Sequence, residues 1–124
     1  MNKLFIEATR STPRVEFLPT GEMSISGRSL PEDPFGFYDT LFGWVKQSTL
    51  ESVSIEIHLE YMNTSSSKQI YSLLINLREK VSVRNILVKW YFEEGDEDNL
   101  ETGKEFESML NIPFVYHEFA DTLA

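Results

Sequence analysis

The sequence of 124 residues contains no cysteine. Disulfide bonds, thiolate catalysis and zinc sites of the usual cysteine-rich kind are therefore excluded. The chain also lacks any run of about 20 apolar residues, the length that a membrane-spanning helix needs. Its start reaches an acidic residue at Glu7, which is too early for the apolar segment of a secretory signal. We therefore expect a cytoplasmic protein that makes no membrane contact.

Basic residues are also scarce, since 11 Lys and Arg stand against 20 Asp and Glu and give a net charge of −9. Nucleic-acid binding depends mainly on Lys and Arg that displace counterions, so no nucleic-acid partner is predicted. The sequence has no Gly-x-Gly-x-x-Gly loop, no Gly-Lys-Ser/Thr phosphate loop and no Gly-x-Ser-x-Gly elbow. Because these are the familiar routes to nucleotide binding and serine hydrolysis, we predict no catalytic residues, no cofactor and no metal.

The hydrophobic pattern indicates one globular domain over residues 1–124 that mixes strands and helices. Residues 53–61 alternate between apolar and polar side chains, which predicts a strand. Asp33 is a plausible helix N-cap, with Pro34 in the first helical position. The predicted elements are strands at 4–8, 14–18, 22–26, 53–61, 86–92 and 113–119, and helices at 34–48, 70–81 and 100–110. The first two helices each carry a stripe at helical spacing that is predicted to be core: Phe35, Tyr38, Leu41, Phe42 and Val45 in the first, and Ile70, Leu73, Leu74, Leu77 and Val81 in the second.

This order of elements predicts an α/β fold with a mixed sheet, antiparallel at its start and parallel in its centre, packed by three helices. The third helix is weakened by Gly103. The acidic run at residues 93–98 lacks the spacing of a calcium loop, so we interpret it as a solvated loop. His58 shares a strand face with Glu56 and Glu60, but three side chains in a line do not converge on one ion, and a solvated face explains them.

Residues 61–68, Tyr-Met-Asn-Thr-Ser-Ser-Ser-Lys, join the clearest strand to the following helix through four consecutive hydroxyl residues. Ser66 and Gln69 have the spacing of a capping box, which would leave Thr64 ahead of the cap and facing solvent. A phosphate on Thr64 adds about −1.5 to −2 charge beside the positive end of a helix, which favours an anion by about 0.3–1 kcal/mol. Hydroxyl-rich helix starts are common, however, and the spacing alone favours a plain cap.

Three segments resemble the SiaC family of bacterial regulatory phosphoproteins: residues 61–68, residues 11–13 (Ser-Thr-Pro) and residues 27–33 (Gly-Arg-Ser-Leu-Pro-Glu-Asp). The resemblance implies a fold like the STAS domain of anti-sigma factor antagonists. It also implies that a Ser/Thr kinase phosphorylates Thr64, that a PP2C-type phosphatase reverses this, and that the unmodified protein binds and activates a GGDEF diguanylate cyclase. By the same resemblance, Asn63, Ser65 and Ser66 flank the acceptor as recognition residues.

Two alternatives remain open from the sequence. One is a small-molecule-binding or catalytic α/β domain that uses the helix start at residues 63–67 as an anion site, with His58 or His117 assisting. The other is a purely structural subunit, in which the hydroxyl cluster does nothing beyond capping a helix.

Overall fold

The computed structural model describes residues 1–120. These residues contain six strands and three helices. None of these helices is both long enough and apolar enough to cross a membrane. In chain order the elements are β1 (Leu4–Ile6), β2 (Arg14–Phe17), β3 (Glu22–Ser29), α1 (Pro34–Gln47), β4 (Ser52–Met62), α2 (Thr64–Glu79), β5 (Asn85–Glu93), α3 (Glu97–Leu110) and β6 (Phe114–Phe119).

The strands lie side by side in chain order, from β1 at one edge of the sheet to β6 at the other. The pairs β1–β2 and β2–β3 are antiparallel, whereas β3, β4, β5 and β6 run parallel to one another. Each helix connects two neighbouring parallel strands, and right-handed connections that all step in the same direction place their helices on one face. The predicted mixed α/β fold is therefore confirmed.

The core lies between this helical layer and the sheet. Val53, Ile55, Ile57 and Leu59 alternate along β4, and each is at most 3% exposed. The stripe along α2 faces them and is completely buried, as its helical spacing predicted; it comprises Ile70, Leu73, Leu74 and Leu77. Within residues 1–120 no helix covers the opposite face of the sheet, because all three crossovers lie on the same side.

A β-bulge near the end of β4 interrupts the alternation that the sequence predicted. Gly27 pairs with Leu59 and Arg28 pairs with Tyr61, so Glu60 is the extra residue on β4. An extra residue reverses which face the following side chains take. Tyr61 is consequently 46% exposed, with the Arg28 guanidinium carbon 5.5 Å from its ring centroid, although the alternation over residues 53–61 puts it on the apolar face of the strand.

Helix boundaries follow their capping residues. Asp33 caps α1 as predicted, because its side chain accepts the Gly36 N–H at 3.0 Å. The predicted buried stripe of α2 extends too far, since the helix ends at Glu79 and Val81 is fully exposed.

The acidic run at residues 93–98 is less of a loop than predicted. Asp96 is the N-cap of α3 and accepts the Asn99 N–H at 3.1 Å. Glu97 and Asp98 then form the first turn of the helix, where negative side chains are favoured by the helix dipole. The prediction of a solvated loop is therefore wrong for the second half of this run.

Gly103 permits the close contact between α3 and β5. Trp90 is fully buried and donates its indole N–H to the Asn99 carbonyl at 3.1 Å. A Cβ atom on Gly103 would lie only 2.8 Å from the same indole nitrogen. The residue that the sequence marked only as a weak helix former is thus required by packing.

Gly103→Ala is expected to lower the free energy of unfolding by about 1–3 kcal/mol, because the added methyl group overpacks a rigid core. The matched control is Gly43→Ala in α1, where an added Cβ meets no atom within 4 Å. That substitution should raise the free energy of unfolding by about 0.4–1 kcal/mol. Urea denaturation measures both, and equal stability of the two variants would contradict the packing role of Gly103.

Candidate functional site

The three segments that resemble the SiaC family meet at the end of the sheet where the parallel strands have their carboxyl ends. Strand β2 begins at this end of the sheet, and strands β3 and β4 finish there. The Leu30 N–H donates to the Ser11 carbonyl at 2.8 Å, and the Asn63 N–H donates to the Ser29 carbonyl at 3.0 Å. Backbone hydrogen bonds therefore join segments that are far apart in the sequence into one continuous surface.

Asn63, and not Ser66, caps helix α2. The Asn63 side chain accepts the Ser66 N–H at 2.8 Å, and the Asn63 carbonyl accepts the Ser67 N–H at 2.9 Å. Asparagine is among the best N-cap residues because its short side chain reaches the free amides of the first turn. The predicted capping box at Ser66 and Gln69 is therefore wrong, and Thr64 is the first residue of the helix instead of preceding the cap.

The four consecutive hydroxyl residues at the start of α2 differ sharply in exposure. Thr64 and Ser65 are exposed, Ser67 is partly buried and Ser66 is fully buried. Thr64 thus faces solvent even though the helix begins three residues earlier than the capping box implied. Phosphorylation by another protein requires such exposure, so among these residues Thr64 and Ser65 are the accessible acceptors.

Ser66 lies in a buried cluster of hydroxyl groups with Ser29 and Tyr38. The Ser29 hydroxyl donates to the Ser66 hydroxyl at 2.8 Å, and the Ser29 and Tyr38 hydroxyl oxygens are 2.6 Å apart. All three residues are 0% exposed. Burial raises the pKa of the Tyr38 phenol, and hydrogen bonds with Ser29 and Ser66 partly oppose that rise.

Ser66, which the resemblance implies is a recognition residue beside the acceptor, is fully buried in the structure. Its side chain contacts the interior of the protein and is closed to a kinase or other partner in this conformation. Neither Ser29 nor Tyr38 was singled out from the sequence. Ser29 lies in one of the segments that resemble the family, and Tyr38 lies in the aromatic stripe predicted to be core, whose spacing reveals no role for a hydroxyl group.

Exposed aromatic side chains and shallow grooves surround the hydroxyl segment. Phe35, in the first turn of α1, is 73% exposed, so its predicted place in the core is wrong. A groove of about 330 Å³ links it to Gln69 on α2. On the other side, a groove of about 290 Å³ runs from Tyr61 to the start of α3. Thr64 lines neither groove; the carboxylates that do are Asp33, Asp39, Glu60, Asp96 and Asp98.

His58 and His117 lie on the sheet face without helices. The His58 ring stacks on Tyr91 with centroids 4.5 Å apart, and Tyr91 stacks on His117 at 4.8 Å. Within residues 1–120, no group of three or more His, Asp or Glu side chains is placed to hold a metal ion. The stack was not predicted, because strand register, which the sequence does not state, brings the three rings together.

A family model described as SiaC family regulatory phosphoprotein matches residues 6–119. The chain belongs to the SiaC family. An uncharacterized protein of Pseudomonas aeruginosa strain UCBPP-PA14 is 28% identical to this SiaC-family chain over 120 residues, covering 93% of the chain and 95% of that protein.

Solved structures from the same bacterium share the fold. Apo-SiaC from Pseudomonas aeruginosa matches with a TM-score of 0.79 at 25% identity, over 94% of this chain and 99% of that one. The crystal structure of the diguanylate cyclase SiaD in complex with its activator SiaC contains a chain that matches with a TM-score of 0.80 at 24% identity, again over 94% and 99%.

Replacing Asn63 tests the observed cap. Asn63→Ala removes the acceptor of the Ser66 N–H, so the free energy of unfolding should fall by about 1 kcal/mol in urea denaturation. Asn63→Asp keeps an oxygen in the same place and should stay within about 0.5 kcal/mol of wild type. If Asn63→Ala proves as stable as wild type, the cap lies elsewhere, as the spacing of Ser66 and Gln69 first suggested.

Proposed function

We propose that this SiaC-family protein is a non-catalytic, partner-switching regulator that is reversibly phosphorylated on Thr64. The observation that carries the proposal is the exposed Thr64 hydroxyl at the first position of α2, within the segment that resembles the family's acceptor motif. Membership of a family of regulatory phosphoproteins supports it. In this proposal a Ser/Thr kinase adds the phosphate and a PP2C-type phosphatase removes it.

The proposed output partner is a GGDEF diguanylate cyclase in the cytoplasm, which the unmodified protein binds and activates. The support comes from Pseudomonas aeruginosa, where SiaC is the activator of the diguanylate cyclase SiaD and is found in complex with it. The surface around Thr64 also suits a protein partner. Phe35 and Tyr61 expose large aromatic side chains on either side of it, and aromatic residues are enriched at protein interfaces.

The start of α2 tolerates a phosphate better than the other two helix starts within residues 1–120. Aspartates cap α1 and α3, whereas the neutral Asn63 caps α2, and the first turn of α2 contains no acidic residue. The positive end of the α2 dipole is thus the one without a negative side chain to match it. A phosphate on Thr64 meets a favourable field there, worth about 0.3–1 kcal/mol when exposed, so the fold should persist.

The same phosphate should weaken the binding of a partner that covers Thr64. A dianion enclosed in an interface has to be desolvated, and it repels any acidic side chain of the partner that lies beside it. A difference of about 1.4 kcal/mol in binding already changes affinity tenfold. This asymmetry between fold and interface supports a switch in which phosphorylation releases the partner.

Asn63 and Ser65 remain the proposed recognition residues, because each lies beside Thr64 in the chain and Ser65 is exposed. Asn63 also has its structural task as the cap of α2. The proposed role of Ser66 changes from a partner contact to an internal support of the first turn.

The rival hypothesis of an anion-binding or catalytic site has less support. The residues that line the two grooves beside α2 include carboxylates but neither Lys nor Arg, which disfavours a small anionic ligand. His58 and His117 stack with Tyr91 on the sheet face away from the helices, so they do not face the start of α2.

The acceptor is tested by incubating the purified protein with ATP and an extract of the bacterium that encodes it, followed by mapping of phosphopeptides by mass spectrometry. We expect phosphate on Thr64 and its loss in Thr64→Ala. Ser65→Ala, which removes the neighbouring exposed hydroxyl, is the matched control and should keep the modification. Full modification of Thr64→Ala would refute the assignment, as would phosphate found only at other positions of wild type.

A further inference from the structure

The first turn of α2 has a single buried anchor. Between the cap at Asn63 and the first buried apolar residue, Ile70, the only fully buried side chain is that of Ser66. The hydrophobic core therefore holds α2 only from its second turn onward. Helix ends fray readily when packing does not hold them, so the geometry of Thr64 and Ser65 depends on how Ser66 is held.

Ser66 is held by a chain of hydroxyl groups that ends in α1. A serine hydroxyl has one proton, and Ser29 donates its proton to Ser66. The 2.6 Å contact between Ser29 and Tyr38 is therefore donated by Tyr38. Because all three residues are fully buried, water cannot replace a partner that is lost.

Ser29 also supports the cap of the same helix. Its carbonyl accepts the Asn63 N–H at 3.0 Å, while its hydroxyl bonds Ser66 at 2.8 Å. One residue at the end of β3 thus contacts both the cap and the third residue of α2. The hydrogen bond to Asn63 fixes where α2 begins, and the hydrogen bond to Ser66 restricts rotation of the first turn about the helix axis.

We propose that Ser29 and Tyr38 are positioning residues that make Thr64, and not Ser65, the hydroxyl presented to the kinase. This inference rests on the proposed function and adds the origin of its site selectivity. Thr64 and Ser65 are adjacent, exposed and chemically alike, but successive helix residues point about 100° apart. Phosphoryl transfer needs the attacking oxygen in line with the phosphate, so a fixed rotation of the first turn selects one of the two.

Tyr38→Phe and Ser66→Ala each remove one hydroxyl from the cluster without adding volume. Ser48→Ala is the matched control, because Ser48 is also buried and its hydroxyl bonds the Val45 carbonyl at the opposite end of α1. The purified proteins are incubated with ATP and an extract of the source bacterium, and phosphate on Thr64 and Ser65 is quantified by mass spectrometry. Hydrogen exchange of the Ser66 and Ser67 amides is measured on the unmodified proteins.

In Tyr38→Phe and Ser66→Ala we expect the rate of Thr64 phosphorylation to fall by about tenfold, well within the loss that a displacement of about 1 Å can produce. The ratio of Ser65 to Thr64 phosphate should rise by at least about threefold in the same variants, since about 0.7 kcal/mol of lost preference has that effect. Both amides should exchange faster. Ser48→Ala should leave the phosphorylation ratio and the amide exchange rates unchanged. A general loss of stability would alter them in that variant too.

The outcomes separate this proposal from the one it rests on. If wild type is phosphorylated on Thr64 while Tyr38→Phe keeps the same ratio and the same exchange rates, the positioning role is refuted and the proposed function stands. If wild type takes no phosphate on either hydroxyl, both fail together. If Tyr38→Phe does not fold, Ser66→Ala decides, because Ser29 and Tyr38 remain bonded to each other in that variant.

Discussion

The parallel pairing of β3 with β4 up to the last residue of each strand is the constraint on which the candidate acceptor depends. Ser29 pairs with Met62 in the final step of this ladder, and the Ser29 carbonyl then accepts the Asn63 N–H. The helix cap therefore lies where the strand ends. The bulge at Glu60 is part of the same arrangement, because it turns Tyr61 out of the core shortly before α2 begins.

The three helix starts at the carboxyl ends of the parallel strands differ in charge. All three helices start here, since each follows the end of a parallel strand, and all three present the positive ends of their dipoles. Asp33 and Asp96 neutralise two of them, whereas Asn63 leaves the third without a negative partner. In a protein with a net charge of −9, we therefore expect the start of α2 to be the helix start that tolerates a new phosphate best.

The long-range pattern of the fold was predictable because it rests on periodicity. The alternation along β4 and the stripe along α2 each encode one buried face, and the order of elements then determines the mixed sheet. Local competition was harder to predict. Asn63 and Ser66 are both good N-cap residues and lie only three residues apart. The residue at which β4 ends, Met62, decides between them. The bulge at Glu60 was likewise not predictable from the sequence of β4, because it arises from the pairing with β3.

The exposure of Thr64 was predictable from the sequence, whereas the contacts that support the start of α2 were not. Thr64 was found from the hydroxyl cluster and the family resemblance, and it is exposed as expected. Tyr38 lies 26 residues before Thr64 in the chain, and its hydroxyl group is linked to α2 through Ser29 on a third element. Its spacing marked it correctly as core, and a core prediction carries no information about a polar atom at the end of the ring.

The most direct test of the account compares two homogeneous samples of the protein, one unmodified and one with phosphothreonine incorporated at position 64 during translation. Each is titrated against a purified GGDEF diguanylate cyclase from the same bacterium, and synthesis of cyclic di-GMP is followed. We expect the unmodified protein to bind the cyclase and raise its activity, and the phosphorylated protein to bind at least about tenfold more weakly, equivalent to about 1.4 kcal/mol. Equal binding and equal activation by both samples would contradict it.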